Sequence, residues 1–216
     1  MGLITIFGIN GVGKDTVANK LKEKRPNICI TSMSRILMYI LGISNTYETS
    51  EIVTEEQYKK LESIPQDVMK KIEENEYREL LTQISQEDKQ TLLLSHLVSA
   101  LRLGEQIVYL DNRLTPDWLV KQSDLLVQLA VPAPILSERR SKDTSRKRDT
   151  NIYEIEKHQK LCFKEWNRIK KENPNKSMYT IVNLDLEETV DTIERIMDIE
   201  EHKSKSVLKE GERNER

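Results

Sequence analysis

No stretch of this chain approaches the run of about 18 apolar residues that a membrane-spanning helix requires. The opening MGLITIFG has neither a basic n-region nor a small-residue cleavage site, so no secretory signal is expected there. It also lacks the Ser or Thr that N-myristoylation needs, because Ile6 stands in that place. Turn-forming residues are scarce: 7 glycines and 6 prolines in 216 residues argue against an all-β chain full of turns. Cysteine is scarcer still. Cys29 and Cys162 lie far apart and in different predicted elements, which leaves no disulfide framework. His96, His158 and His202 share no metal-ligand spacing with them. The net charge of −2 gives the whole molecule no broad attraction for nucleic acid. The expectation is a reduced, cytoplasmic protein.

The chain does have strands alternating with helices. LITIFG (3–8) is an apolar, β-branched run that reads as a buried strand. KDTVANKLKEK follows as a helix, with Val17, Ala18 and Leu21 on its inner face, and Pro26 stops it. ICIT (28–31), QIVYLD (106–111), a strand within SDLLVQLAV, and MYTIVNL (178–184) complete a set of five. SRILMYILG and residues 43–104 read as helical, with a capping-box start at Thr54 and Gln57, a helix opened by Pro65 and another opened by Ser85 with Asp88. PAPILSERR reads as a helix. The next helix has a stripe of Ile155, Gln159, Cys162, Trp166 and Ile169, with Asn151 and Glu154 as its cap pair. A closing helix carries Val190, Ile193 and Met197 on one face. The charged stretch 201–216 reads as a frayed or disordered tail. This alternation predicts an α/β fold with a parallel sheet between helical layers.

GINGVGKDT (8–16) is the most informative stretch. Gly8-x4-Gly13-Lys14 follows a predicted strand and opens a predicted helix, which is the context a phosphate-binding P-loop demands. Glycines let backbone N–H groups converge on phosphate oxygens, and the helix N-terminus adds its positive dipole end. Gly8, Asn10, Gly11, Val12, Gly13, Lys14, Asp15 and Thr16 are therefore the expected nucleotide-binding residues, with Lys14 reaching the β- and γ-phosphates. The hydroxyl that usually follows the lysine is replaced by Asp15. A carboxylate there suits Mg²⁺, directly or through water, and Thr16 remains as a hydroxyl contact. Asp111 ends a predicted buried strand, where P-loop folds keep a metal-orienting aspartate. The expected fold is thus a single three-layer αβα P-loop domain over residues 1–200. It has a five-stranded parallel sheet, a helical acceptor-side insertion at about 43–104 and a short lid at about 139–150. ATP and Mg²⁺ are the expected cofactors.

ERRSKDTSRKRD (138–149) carries six basic residues and one acid between Arg139 and Arg148. A short basic loop between two helices after the fourth strand is where small kinases keep a closing lid, whose arginines neutralise the moving phosphoryl group. Lys14, Arg139, Arg140, Arg146 and Arg148 are the expected catalytic residues. Arg35, Arg102 and Arg113 lie near predicted strand ends or helix starts and are candidates for an acceptor phosphate.

GINGVGKDT, YLDNRLTP and ILSERRSKDTSRKRD together resemble the archaeal-type adenylate kinases of the nucleoside monophosphate kinase superfamily. Arg146 and Arg148 match the R-x-R pair of that family's lid, and Asp143 and Thr144 its preceding acidic and hydroxyl positions. Lys142 replaces an arginine. The resemblance covers the first strand–helix unit and roughly residues 106–200. It implies transfer of the ATP γ-phosphoryl group to a nucleoside monophosphate, and it allows self-association. Residues 44–90 are longer than in that family, and Asn112 and Arg113 stand where Thr and His are usual. Two other readings stay open. One is a P-loop kinase of a non-nucleotide metabolite, with Asp111 or Asp15 as base. The other is a non-catalytic ATP-binding module whose helical region meets a partner. A nucleic-acid role has least support, since the basic segment has no interleaved aromatics.

Overall fold

The computed structural model describes residues 2–32, 106–111, 117–143 and 148–214. In chain order the elements are β1 (Leu3–Phe7), α1 (Lys14–Lys24), β2 (Ile28–Thr31), β3 (Gln106–Asp111), α2 (Asp117–Gln122), β4 (Leu125–Ala130), α3 (Ala133–Lys142), α4 (Ile152–Glu172), β5 (Ser177–Val182) and α5 (Leu186–Asn214). The five strands are parallel and form one sheet in the order β2-β3-β1-β4-β5. All five residues of β1 are buried, as a central strand covered on both faces requires.

Alternate residues of the strands feed two apolar layers. Ile4, Ile6, Ile28, Ile30, Val108 and Leu110 meet Val17 and Leu21 of α1 and Val190, Ile193 and Met197 of α5. On the opposite face Phe7, Leu126 and Met178 meet Val120 of α2 and Trp166 and Ile169 of α4. The Phe7 and Trp166 rings lie 4.7 Å apart, tilted by 52°. The predicted stripes of α4 and α5 are thus the faces that are buried. Cys29 and Cys162 are buried thiols in separate elements.

Three details depart from the sequence expectation. Residues 117–122 form a short helix where no element is expected from the sequence. Its one and a half turns are too few to show a periodicity. Asn151 caps α4, accepting from the N–H groups of Tyr153 and Glu154 at 2.9 and 3.4 Å. The reciprocal bond of a capping box is absent, because the Asn151 N–H donates to Asp149 Oδ1 at 2.8 Å rather than to Glu154. Residues 201–214, expected as a frayed or disordered tail, continue α5 as helix. Among the described residues no helix is long and apolar enough to cross a membrane. The helices expected across 33–104 lie outside the described residues.

Because all strands are parallel, their C-terminal ends share one edge of the sheet. The chain leaves β1 for β2 and β3 on one side, then crosses to β4 and β5 on the other. Ligands of open α/β sheets bind at such a reversal of strand order. The glycine-rich segment after β1 sits there.

Candidate functional site

Residues 8–13 run from the end of β1 into α1. The helix starts without a side-chain cap: its N-cap is Gly13, in the left-handed conformation at φ 91° and ψ 21°. Gly13 brings no capping side chain to this end, and the first backbone N–H groups of α1 point out of the helix together with the positive end of its dipole. Asp15 and Thr16 are exposed in this first turn.

The carbonyls of the loop accept hydrogen bonds from three different parts of the fold. Lys14 Nζ donates to Gly8 O at 2.7 Å and to Ile9 O at 3.4 Å. Arg140 of α3 donates to Asn10 O from Nε at 3.1 Å and from Nη2 at 2.7 Å. Asn183, after β5, donates from Nδ2 to Val12 O at 2.7 Å. Gly13 O accepts the first helical bond, from Val17 N at 2.9 Å. A trans peptide points its C=O and the following N–H in opposite directions, and none of the described peptide bonds is cis. Fixing the Asn10 and Val12 carbonyls from α3 and from the segment after β5 turns the N–H groups of Gly11 and Gly13 to the other side of the loop. That is the donor set an anion of several oxygens requires.

The glycines are needed for close approach. A Cβ on Gly8 would lie 2.5 Å from Leu129 O, on the neighbouring strand. One on Gly13 would lie 2.7 Å from Asn183 Nδ2, and one on Gly11 would press on Leu136 and Arg140 at 3.1 and 3.2 Å.

Lys14 is buried, at 5% exposure. Arg140 is buried too, at 8%, and also donates from Nη1 to Asp149 O at 2.8 Å. Burial, and then the neighbouring Arg148, push its guanidinium below the ordinary value. Arg148 forms an ion pair with Asp143 at 2.7 Å, joining two residues on either side of 144–147. Arg139 Nη2 donates to Leu184 O at 3.3 Å, which brings α3 and the segment after β5 together beside the loop. Asn183 is buried and receives a contact from Thr189 Oγ1, which lies 3.1 Å from its Oδ1 and 2.6 Å from Asp185 O.

The structure thus brings together Gly8 through Thr16, Arg139, Arg140 and Arg148. The end of β3 is adjacent, since Asp111 is in register with Phe7, the residue before Gly8. The Asp111 side chain, Arg35, Arg102, Arg113 and Arg146 lie outside the described residues. Sequence reading missed Asn183 and its partner Thr189. Their one local sign is a polar residue directly after an apolar strand. The donor set fits a nucleotide's phosphates, and Asp15 and Thr16, exposed in the first turn of α1, are oxygen-bearing side chains that could hold a metal. Among the described residues no group of three or more His, Cys, Asp and Glu side chains forms a separate metal cage.

No protein-family model matches the chain, and no curated protein sequence matches it. Solved structures do. A sugar kinase from Janibacter sp. superposes with a TM-score of 0.51 at 14% identity, covering 92% of this chain and 95% of that one. A gluconokinase from Sinorhizobium meliloti gives 0.50 at 14%, covering 95% and 97%. A shikimate kinase from Bacteroides thetaiotaomicron gives 0.50 at 14%, covering 91% and 98%. Identity this low carries the architecture and not the substrate. The fold is the three-layer αβα P-loop fold, shared with these kinases over nearly their whole length.

Proposed function

We infer that the protein is an ATP-dependent phosphotransferase whose acceptor is a small metabolite other than a nucleotide. The observation that carries the phosphotransferase reading is the anchoring of the loop carbonyls of Asn10 and Val12 by Arg140 and Asn183, from parts of the fold outside the loop. Phosphoryl transfer asks the protein mainly for placement and charge neutralisation, and a loop fixed before the ligand arrives supplies both. Bound ATP would supply the phosphoryl group, and Mg²⁺ would offset its charge. Lys14 would hold the β- and γ-phosphates. Asp15 and Thr16 would stand at the metal side, and Arg148 would lie toward the transferred group. Sugar kinase, gluconokinase and shikimate kinase are the names borne by the structural neighbours. They support a hydroxyl acceptor. Such an acceptor needs a general base, and Asp111 or Asp15 is the candidate for that role.

A nucleoside monophosphate kinase is the second reading. It rests on the lid-like run SKDTSRKRD and the match of Arg146 and Arg148 to an R-x-R pair. A phosphate acceptor is already ionised and needs no base, so Asp111→Asn separates the two readings. Turnover lost with metal binding intact favours a hydroxyl acceptor.

The deciding experiment is ADP formation by the purified protein with ATP and Mg²⁺. The panel contains sugars, sugar acids, other hydroxyl metabolites and nucleoside monophosphates, with Lys14→Ala as control. ADP formed with one hydroxyl acceptor and lost in the control supports the proposal. ADP formed only with a monophosphate moves the assignment to the second reading. Tight ATP binding without transfer to any acceptor supports a non-catalytic module instead.

A further inference from the structure

Arg140 belongs to the basic run whose arginines are expected to close over a phosphoryl group, yet its side chain is turned elsewhere. Three of its five N–H donors go to main-chain carbonyls: two to Asn10 O and one to Asp149 O. The residue is only 8% exposed. One turn earlier on the same helix, Ser137 Oγ donates to Thr150 O at 2.6 Å. One face of α3 therefore grips two consecutive carbonyls ahead of α4 while it also reaches the phosphate loop.

We propose that Arg140 is a positioning residue: it holds the Asn10–Gly11 peptide plane with its carbonyl outward and the Gly11 N–H toward bound phosphate, and it touches no phosphate itself. The assignment rests on reading the loop as a nucleotide site. The reason such a residue is needed is local. Gly11 sits at φ 91°, and glycine visits positive and negative φ almost equally, so sterics alone do not fix this plane. An unanchored Asn10 carbonyl would be free to turn inward and set its negative end against phosphate. A guanidinium suits the task because its rigid fork delivers two donors to one oxygen and a third to Asp149 O. A lysine offers a point charge without that geometry.

The test uses the full chain labelled with ¹⁵N and titrated with pyrophosphate, a probe small enough to report on the loop alone, followed by ADP affinity measurements. In the wild type the Gly11 and Gly13 amides shift on pyrophosphate addition. In Arg140→Met the affinity for ADP falls by roughly tenfold or more, the scale of losing charge-assisted hydrogen bonds. The Gly11 response is lost and the Gly13 response persists. Arg140→Lys recovers part of the affinity and part of the Gly11 response. It carries the test should the methionine variant fail to fold. With an acceptor in hand, the loss appears in KM for ATP more than in kcat. Wild-type affinity with an unchanged Gly11 response in Arg140→Met overturns the role of Arg140 alone. So does a fall in kcat with KM unmoved, which would place Arg140 on the transferred group. A wild type that responds to neither pyrophosphate nor ADP overturns the nucleotide reading, and this role with it.

Discussion

The side-chain amide of Asn183 donates to the carbonyl oxygen of Val12 at 2.7 Å, across 171 residues of chain. A carbonyl can only accept, so this bond fixes which end of the amide faces the loop. The other end, Oδ1, faces Thr189 Oγ1. The last strand thus pins the phosphate loop that follows the first one. Asn183→Asp keeps the shape and reverses the chemistry, setting a carboxylate against a carbonyl in a buried position. We expect a loss of about 1–3 kcal/mol of stability, the scale of a buried polar group left without its partner. Nucleotide affinity should fall more than in Asn183→Ala, because the new charge also repels phosphate. Urea unfolding and ADP titration of the two variants measure both effects. Equal affinity in the two would show that the amide does not orient the loop.

Gly13 and Gly11 share φ 91° but have different surroundings. Placing any L-residue in this region strains the backbone by about 1–2 kcal/mol. Beyond that, a Cβ at Gly13 meets the Asn183 amide at 2.7 Å, a group tethered to Val12. A Cβ at Gly11 meets the side chains of Leu136 and Arg140 at 3.1–3.2 Å, a contact that asks them to shift by only a few tenths of an ångström. Gly13→Ala should therefore be the more destabilised of the two in thermal melts. The opposite order would mean that the Arg140 contact is stiffer than the Asn183 one.

How far the sequence went can be argued from these same residues. Strand, glycine spacing and helix lie within about twenty consecutive residues, and each carries a local signature, so the loop, the five strands and the inner faces of α4 and α5 were legible. The clamps were not. Arg140 lies 130 positions from Asn10 and Asn183 lies 171 from Val12. A basic run shows where charge collects but not where each side chain points. Arg140 was accordingly grouped with Arg148, although one grips carbonyls and the other pairs with Asp143. The cap of α4 failed in the same way: Asn151 was recognisable, while Asp149 competing for its N–H was not.

Glu200 should set part of the acid sensitivity of the fold. It lies buried beside β5 and accepts hydrogen bonds from Ser177 Oγ at 2.6 Å, Tyr179 OH at 2.8 Å and Lys203 Nζ at 2.8 Å. Burial pushes its carboxyl up, but the bonds from Lys203, Ser177 and Tyr179 together outweigh it, and the result lies below the ordinary value near 4.5. A carboxylate with a lowered folded pKa stabilises the fold at neutral pH, and that contribution fades as pH falls below 4.5. Glu200→Gln should flatten the decline of melting temperature between about pH 5 and 3 relative to wild type. Parallel curves for the two proteins would remove Glu200 from the acid response.

Lys14 poses the sharpest separation of stability from function. The residue is 5% exposed and its ammonium donates to the Gly8 and Ile9 carbonyls, so it is both a clamp and the one buried lysine in the loop region. Lys14→Met keeps the length and removes the charge. Losing one charge-assisted bond should cost about 1.5–3 kcal/mol of stability at most, with the saving in desolvation offsetting part of it. If Lys14 holds the β- and γ-phosphates as proposed, losing its cation should lower phosphoryl transfer by roughly 10²–10³, the scale seen when one preorganised transition-state donor is removed. Melting curves and ADP formation measured on the same preparation decide the matter. Folded protein with activity lost assigns Lys14 to the chemistry. A protein that melts far below wild type while keeping its residual activity would make the ammonium chiefly a structural clamp, and would shift the burden of charge neutralisation to Arg139 and Arg148.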